Sequence, residues 1–203
     1  MKNNLIITIG RQFGSGGRYI GKMLAEELEI PFFDRELIDI ISEKSGVSKE
    51  IVESVDEKAN KFFYSLMFAG GTDNMYDLSM NDKIFVLQAD ILKKLADEGS
   101  CVFVGRCADY ILNNNYNVLK IFIYQSMEGK KERAIKYYNV PAEKAENIIL
   151  KNDKRRAAYY NYYTNLKWGN LENYDLCINS DMGIENAVKL IKSYIDIYYD
   201  KKI

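Results

Sequence analysis

Five short apolar runs, rich in β-branched and aromatic residues, constrain the fold of this chain more than any other feature of its sequence. Helical patterns separate most of these runs, and that alternation predicts a parallel sheet covered by helices on both faces. The predicted strands are Leu5–Ile9, Pro31–Phe33, Cys101–Val104, Leu119–Tyr124 and Asp175–Ile178. The predicted helices are Arg18–Leu28, Arg35–Lys44, Lys49–Glu57, Asn81–Glu98, Met127–Tyr138, Ala142–Tyr163 and Gly183–Tyr199. The pattern therefore predicts an α/β protein with a three-layer α/β/α arrangement around a parallel sheet of about five strands.

The whole chain, residues 1–203, is expected to form one domain. Its length suffices for one sizeable core and is short for two full domains. No repeat, low-complexity run or Pro/Gly/Ser-rich linker divides it. Residues 62–80 form an irregular insert, rich in aromatic residues and methionine, that fits neither a helical nor a strand period. A buried connection, a mobile flap and a contact surface of a homodimer are the three interpretations open for this insert.

The composition excludes several classes of catalytic site. The chain has no histidine, so Ser-His and Cys-His nucleophiles are excluded and any proton transfer falls to a carboxylate. The three cysteines, Cys101, Cys107 and Cys177, lack CxxC spacing, which argues against a disulfide framework and against zinc. We therefore expect reduced thiols and assign no residue as a metal ligand.

Charge and hydropathy limit which binding partners and which cellular compartment we expect for this protein. The net charge of −1 supplies no overall field for nucleic acid or an acidic membrane, so any anion site needs locally placed cations. The apolar run at Leu5–Ile9 is far shorter than the roughly 18 residues of a membrane span, and no signal-peptide pattern surrounds it. We expect a cytoplasmic protein that binds neither nucleic acid nor membrane.

The segment from Ile7 to Leu28, ITIGRQFGSGGRYIGKMLAEEL, has the pattern of a strand, a glycine-rich turn and a helix. Such a helix directs free backbone N–H groups and the positive end of its dipole at the turn. Gly14, Gly16 and Gly17 can adopt positive φ angles, which let consecutive N–H groups converge on one anion. The turn is therefore predicted to cradle a phosphate.

The turn departs from the P-loop pattern GxxxxGKS/T at its charged positions. Gly17 stands where that pattern has lysine, Arg18 where it has the magnesium-binding hydroxyl, and Arg11 where it has the first glycine. Arg18 could supply the missing positive charge from the next position, and Ser15 is a nearby hydroxyl.

Two other interpretations of the turn are open. It also matches the GxxxGxG turn of short-chain dehydrogenases, in which Asp34 would close the second strand and bind a ribose. The YxxxK pair of those enzymes occurs at Tyr163 and Lys167, but it also occurs at Tyr116 and Lys120, and a chain with 16 tyrosines is expected to contain chance matches. The third interpretation is a purely structural loop.

The seven arginines stand out among 28 basic residues because of where they lie. They are Arg11 and Arg18 beside the turn, Arg35 after the second strand, Arg106 after the third, Arg133 in the helix after the fourth, and Arg155 and Arg156 in a late helix. Ligands of open parallel sheets bind beyond the carboxyl ends of the strands, and the planar fork of arginine suits phosphate oxygens. The set predicts a site that gathers cations around phosphates, as phosphoryl transfer needs.

Four separated segments carry a family resemblance. They are IGRQFGSGGRYIGKMLAEELEIPFFDRELI, VFVGRCADYIL, LKIFIYQSMEGKKERAI and NDKRRAAYYNYYTNLKWGNLENYDLCINSDMGIENAVKLI. Together they resemble the cytidylate kinase-like family, which is related to the nucleoside monophosphate kinases, and the resemblance runs from about Leu5 to Ile195. It implies a P-loop kinase fold with a helical lid at approximately residues 142–165, and it implies ATP, Mg²⁺ and nucleotide ligands.

The motifs and the resemblance together assign roles to individual residues. Those expected to bind ATP are Arg11, Gly14, Ser15, Gly16, Gly17 and Arg18. Those expected to bind the acceptor are Asp34, Arg35, Arg106, Asp109, Asp153 and Arg156. The residues expected to be catalytic are Arg18, Arg133, Arg155 and Arg156.

Two motifs of the family supply some of these assignments. The family's Gly-Arg-Asp signature resembles Gly105-Arg106-Cys107 here, so that Arg106 would hold the acceptor's phosphate and Asp109 is the nearest carboxylate. The Asp-x-x-Arg element that meets the nucleotide resembles the run from Asp153 to Arg156.

The leading hypothesis is an ATP- and Mg²⁺-dependent phosphotransferase of the nucleoside monophosphate kinase type, acting on CMP, dCMP or a related small acceptor. The replaced loop lysine keeps open a nucleotide-binding regulatory protein without efficient kinase activity. A short-chain dehydrogenase-like protein that binds NAD(P) is the third hypothesis.

Overall fold

The computed structural model of the protein describes residues 4–34, 36–45 and 80–200. The predicted helix Lys49–Glu57, residues 62–79 of the predicted insert 62–80 and the candidate site residue Arg35 lie outside these ranges.

Five strands form one sheet in which every pairing is parallel. They are β1 Leu5–Arg11, β2 Phe32–Phe33, β3 Cys101–Val104, β4 Asn117–Tyr124 and β5 Leu176–Asn179. Their order is β2-β3-β1-β4-β5, with Ile7 paired to Val102 on one side and to Leu119 on the other. The prediction of a central parallel sheet of five strands is confirmed.

The strand order also bears on the dinucleotide interpretation of the glycine turn. In the usual dinucleotide-binding fold the second strand lies beside the first. Here β3 lies between β1 and β2, so that the chain leaves β1, crosses to the far strand and returns. This topology counts against the short-chain dehydrogenase hypothesis.

Seven α-helices lie within the described ranges. They are α1 Gly17–Glu27, α2 Glu36–Ser45, α3 Met80–Glu98, α4 Ala108–Leu112, α5 Met127–Tyr138, α6 Ala145–Thr164 and α7 Ile184–Asp200. The predicted bounds hold to within one residue for most of them, and a 3-10 turn at Ala142–Lys144 precedes α6. Helix α4 was not predicted, because its five residues are too few to show a helical period.

The helices cover both faces of the sheet, because successive strand residues point to opposite faces. Helices α1 and α7 pack on the face that carries Ile7, Ile9, Val102 and Val104. Helices α2, α3 and α4 pack on the face that carries Ile6, Cys101 and Phe103. Fully burying one such aliphatic side chain contributes roughly 1.5–3 kcal/mol. The three-layer prediction is therefore confirmed, and the glycine-rich turn follows the carboxyl end of β1.

The three cysteines, Cys101, Cys107 and Cys177, are free thiols. Burial raises the pKa of the Cys101 thiol to about 12, which keeps it unreactive. In the three described ranges, no helix is long and apolar enough to cross a membrane.

Candidate functional site

The glycine-rich turn joins the end of β1 to the start of α1 in a left-handed backbone conformation. Gly14 has φ 80° and Gly16, which precedes the first helical residue, has φ 76°. A Cβ on Gly17 would lie 2.6 Å from the Cβ of Arg11, so only glycine fits there without a shift. The turn therefore has the shape of an anion cradle at a helix N-terminus.

Hydrogen bonds to neighbouring elements hold the turn. The backbone N–H of Gln12 donates to the carbonyl of Ile123 at 3.0 Å, and the hydroxyl of Ser180 donates to the carbonyl of Ser15 at 2.7 Å. Ser15 is fully buried and its own hydroxyl donates to the carbonyl of Gln12 at 2.9 Å. The Ser15 side chain thus shapes the turn from inside.

Arg18, the candidate substitute for the missing lysine, lies at the edge of the turn in contact with Asp34. Its Nε donates to Oδ2 of Asp34 at 2.5 Å, and Nη2 of Arg11 lies 3.8 Å from the other carboxylate oxygen. Asp34 is nearly buried, while 44% of the Arg18 side chain is exposed. Two arginines from opposite sides of the turn therefore share one carboxylate.

A cleft of about 520 Å³ opens beside the turn. Five arginines line it: Arg11, Arg18, Arg106, Arg155 and Arg156. A pocket of about 130 Å³ adjoins it and shares Arg11, Asp34, Arg106, Arg155 and Arg156 with the cleft. Guanidinium groups therefore outnumber carboxylates where the two cavities meet, and anionic ligands are favoured there.

The backbone after β3 places Arg106 between the two cavities. Gly105, Arg106 and Cys107 all have positive φ angles, of 75°, 61° and 54°. Two of these residues carry a Cβ, for which the left-handed region is unfavourable, so the surrounding structure must hold them there. Nε2 of Gln88 contributes by donating to the Arg106 carbonyl at 2.9 Å.

The smaller pocket has an aromatic wall and a buried carboxyl group. Its aromatic side chains are Tyr159, Tyr160, Trp168 and Tyr174. The Tyr160 hydroxyl donates to Oδ2 of Asp109 at 2.7 Å. Burial raises the pKa of Asp109, although hydrogen bonds from Tyr160 and the backbone and the charge of Lys120 act against that shift. Sequence reasoning found neither this wall nor Gln88, since aromatic residues and single glutamines carry no distinctive spacing in this chain.

The raised pKa of Asp109 predicts a pH-dependent stability difference for the Asp109→Asn variant. The native state holds the Asp109 proton more tightly than the unfolded state, so the charged carboxyl costs stability as the pH rises above its ordinary pKa of 3.8. The free energy of unfolding of the variant, relative to the unaltered protein, should therefore increase between pH 3.8 and neutrality. Urea unfolding across this range measures it, with Asp90→Asn on an exposed face of α3 as the control. A difference that does not vary with pH would contradict the assignment.

Arg133 lies outside the main cleft. It lines a separate groove of about 370 Å³ with Tyr19, Tyr137 and Ile184, among others. Its Cζ lies 5.4 Å from the centre of the Tyr137 ring, and a Cβ on Gly16 would be 3.2 Å from its Nε. The groove therefore adjoins the turn, where an arginine and aromatic rings offer faces to a planar group.

Asp153 and Arg156 contact the backbone around the turn. Oδ1 of Asp153 accepts from the backbone N–H of Phe13 at 2.6 Å, and Nη1 of Arg156 donates to the carbonyl of Arg11 at 3.0 Å. Arg156 lines both cavities, whereas Asp153 is not among the residues described as lining either one. The structure thus brings five of the predicted arginines together in the cleft. Arg133 lies in the separate groove, and Asp153 contacts the backbone of the turn without lining the cleft.

The residues beside the turn fit a nucleoside triphosphate with its magnesium ion. The cradle and five guanidinium groups match several phosphates. Within the described residues, no group of three or more His, Cys, Asp or Glu could hold a metal ion. Mg²⁺ bound to phosphates keeps several waters and needs only one or two carboxylates. Asp34 is the carboxylate that lines both the cleft and the pocket.

A family model and a relative of known name both relate this chain to cytidylate kinases. A model of the cytidylate kinase-like family matches residues 6–182. A cytidylate kinase of Methanothrix thermoacetophila is 25% identical over 177 residues, which cover 87% of this chain and 88% of that protein. An uncharacterized protein from Eubacterium ventriosum has a crystal structure with a TM-score of 0.70 and 32% identity, covering 95% of this chain and 98% of that one.

A more distant structure shows the fold alone. A shikimate kinase from Bacteroides thetaiotaomicron has a TM-score of 0.52 at 16% identity, with coverage of 95% of this chain and 98% of that chain. Kinases of this fold carry a phosphate-binding turn after the first strand, where the glycine turn lies here. The predicted P-loop kinase type is confirmed, and the match over residues 6–182 confirms the resemblance found in the sequence: the chain belongs to the cytidylate kinase-like family.

Proposed function

We propose that this protein transfers the terminal phosphoryl group of ATP, bound with Mg²⁺, to CMP, dCMP or a related small acceptor. One observation carries the proposal: the glycine turn opens into a cleft that continues, through shared arginines, into a second pocket. Donor and acceptor phosphates would meet between Arg18, Arg106, Arg155 and Arg156. That arrangement suits a reaction whose catalysis is mainly alignment and charge neutralisation.

The turn and the groove beside it form the proposed donor site. The backbone N–H groups near Gly14, Gly16 and Gly17 bind the phosphates, and Arg18 supplies the charge that lysine supplies in other loops. The groove at Arg133 and Tyr137 accepts the planar base by stacking. When bound, Mg²⁺ would neutralise developing charge on the phosphates, and Asp34 would hold one of its waters.

The smaller pocket and its arginines form the proposed acceptor site. Arg106 binds the acceptor's phosphate, the aromatic wall packs against its ring, and Asp109 accepts a hydrogen bond from a donor group on it. A phosphate oxygen is already ionised near neutral pH, so this chemistry needs no histidine as a base. The curated relative from Methanothrix thermoacetophila is named a cytidylate kinase, which supports CMP as the first acceptor to test.

Calorimetry with ATP, CMP and dCMP, followed by a coupled assay for ADP release, tests the proposal. We expect saturable binding of ATP, and ADP release that depends on the acceptor. Failure of ATP to bind would refute the proposal. A search over other small anionic acceptors follows only if ATP binds and neither pyrimidine nucleotide supports turnover.

The Arg106→Ala variant is expected to raise the KM for the acceptor by about 100-fold, because it removes a charge-assisted contact with a phosphate. The KM for ATP should change much less. Arg106→Lys keeps the charge without the planar fork, so it should lie between the two. Steady-state kinetics with each substrate varied in turn gives both constants. An unchanged acceptor KM in Arg106→Ala would remove Arg106 from the proposed acceptor site.

One observation favours a second candidate, a nucleotide-binding regulatory protein. Arg18 is engaged by Asp34, and the Ser15 hydroxyl donates to the Gln12 carbonyl within the turn, so both groups that could replace the P-loop lysine and hydroxyl already have partners. Tight binding of ATP without ADP release for any acceptor tested would favour this candidate.

A further inference from the structure

We infer that Asp153 and Lys130 are positioning residues that hold the glycine turn in the conformation that binds the donor's phosphates. This inference rests on the proposed function at its donor end. It assigns Asp153 to the donor side through the backbone, whereas the family resemblance implies a contact with the acceptor nucleotide.

The first step is the contact between Asp153 and the turn. Asp153 lies in the middle of α6, and its Oδ1 accepts a hydrogen bond of 2.6 Å from the backbone N–H of Phe13, the residue before Gly14. Only 14% of the Asp153 side chain is exposed. A short bond from a backbone N–H to a carboxylate is charge-assisted and stronger than a neutral one. It therefore orients the peptide group at the entrance of the turn.

The second step is the cation that keeps this carboxylate in place. Nζ of Lys130 in α5 lies 3.5 Å from Oδ2 of Asp153, and only 7% of the Lys130 side chain is exposed. A buried charge is costly unless it is paired, so each member of this pair offsets the cost of burying the other. Burial raises the pKa of Asp153, and the Phe13 N–H, Lys130 and Arg156 oppose that shift.

The third step is the close packing of Lys130 under the turn. A Cβ added to Gly14 would lie 2.8 Å from the backbone oxygen of Lys130, so α5 touches the turn where its backbone is left-handed. Arg156, one turn along α6 from Asp153, binds the Arg11 carbonyl at 3.0 Å. Helix α6 therefore contacts the chain on both sides of residue 12. Two hydrogen bonds connect this helix, which lies in the predicted lid, to the turn.

The consequence is preorganisation of the N–H groups that would bind phosphate. A cradle whose dipoles are already aimed needs little reorganisation when an anion binds. Loss of the Asp153 contact should therefore weaken donor binding although Asp153 does not touch the donor. The acceptor pocket, which Asp153 does not line among the described residues, should be unaffected.

The test compares this buried pair with an exposed pair that joins the same two helices. Lys131 in α5 and Glu146 in α6 form a surface ion pair of 2.8 Å, which makes Glu146→Ala and Lys131→Met matched controls. Calorimetry on the full chain measures the Kd values for ATP, tripolyphosphate and CMP in each variant. Kinetics gives kcat and both KM values, and urea unfolding verifies that each variant is folded.

We expect Asp153→Ala to raise the Kd for ATP and for tripolyphosphate by about tenfold or more, as the loss of one charge-assisted hydrogen bond implies. The Kd for CMP should stay within twofold. Asp153→Asn keeps an oxygen acceptor for the Phe13 N–H, so it should recover part of the affinity, and Lys130→Met should resemble Asp153→Asn. Both surface controls should stay within twofold of the unaltered protein for every ligand.

Different results overturn different claims. If the unaltered protein binds ATP and folded Asp153→Ala binds it equally well, the positioning role is wrong. Loss of CMP affinity with ATP affinity intact would also overturn it, in favour of direct acceptor contact. If the unaltered protein binds neither ATP nor tripolyphosphate, the proposed donor site fails and the positioning role fails with it. ATP binding without turnover, and with the expected loss in Asp153→Ala, supports the positioning role and refutes only the proposed catalysis.

Discussion

The Arg18→Ala variant is expected to lose phosphoryl transfer by on the order of 1,000-fold in kcat while remaining folded. Arg18 lines the cleft beside the glycine turn, in the position next to the one that a P-loop lysine occupies. Its guanidinium would neutralise the charge that develops on the transferring phosphoryl group. The variant should remain folded, because 44% of the Arg18 side chain is exposed and Arg11 stays beside Asp34 when Arg18 is removed.

The measurement is steady-state ADP release with ATP and CMP, accompanied by thermal unfolding. Arg18→Lys is the matched control, because it retains a positive charge but loses the planar fork that Nε and the terminal nitrogens form. We expect it to recover part of the activity. Full activity in folded Arg18→Ala would show that this arginine does not substitute for the lysine.

Asp34 complicates the role of Arg18. In the structure, the Asp34 carboxylate lies between Arg18 and Arg11 and holds the first of them by a short hydrogen bond. Phosphates entering the cleft would compete with that carboxylate for the guanidinium. Weaker ATP binding in Asp34→Asn would mean that Asp34 orients Arg18 or holds a magnesium water. Tighter binding would mean that Asp34 competes with the phosphates for Arg18.

The Gly14→Ala variant is expected to lose about 3 kcal/mol of stability and to bind ATP about 100-fold more weakly. Gly14 has φ 80°, which costs an L-residue roughly 1–2 kcal/mol. The added Cβ would also lie 2.8 Å from the backbone oxygen of Lys130, and backbone cannot rotate aside as a side chain can. Relief of that clash requires the turn to move, and the phosphate cradle moves with it.

Alanine variants at two other glycines separate the cost of backbone strain from the cost of a steric clash. Gly183 has φ 93° with nothing within 4 Å of an added Cβ, so Gly183→Ala tests backbone strain alone. Gly99 has open space around an added Cβ and no positive φ, so Gly99→Ala should change stability very little. Urea unfolding ranks the three variants, and calorimetry with ATP follows the cradle. Equal stability in Gly14→Ala and Gly183→Ala would mean that the Lys130 contact does not constrain the turn.

The fold was predictable because short apolar runs and helical patterns alternate along the chain. Strand β3 and helix α5 begin and end where the sequence pattern placed them. Strand β1 extends two residues beyond its predicted end, because Gly10 and Arg11 pair with β4 although neither is a typical strand residue. Helix α4 was missed because one and a half turns show no periodicity.

The candidate site was predictable where position relative to a strand end decides the outcome. Arg11 ends β1 and Arg106 lies just after β3. The carboxyl ends of these neighbouring strands meet at one edge, so parallel pairing brings both residues to the same cleft. Arg133 and Asp153 lie within helices, where the direction of a side chain depends on how the helix is rotated against its neighbours. Helix α5 turns Arg133 toward Gly16 and Ile184, away from the main cleft, and helix α6 turns Asp153 toward the Phe13 amide.

The sequence by itself determined the parallel sheet, the glycine turn and the group of arginines near the strand ends, since these depend on local periodicity and on residues that a turn requires. Only the tertiary structure decided which charges meet. It placed Arg18 and Arg11 on Asp34, and it buried Lys130 with Asp153 beneath the turn. Residues 130 and 153 are far apart in sequence, and pairing them depends on the packing of α5 against α6, which no local pattern encodes.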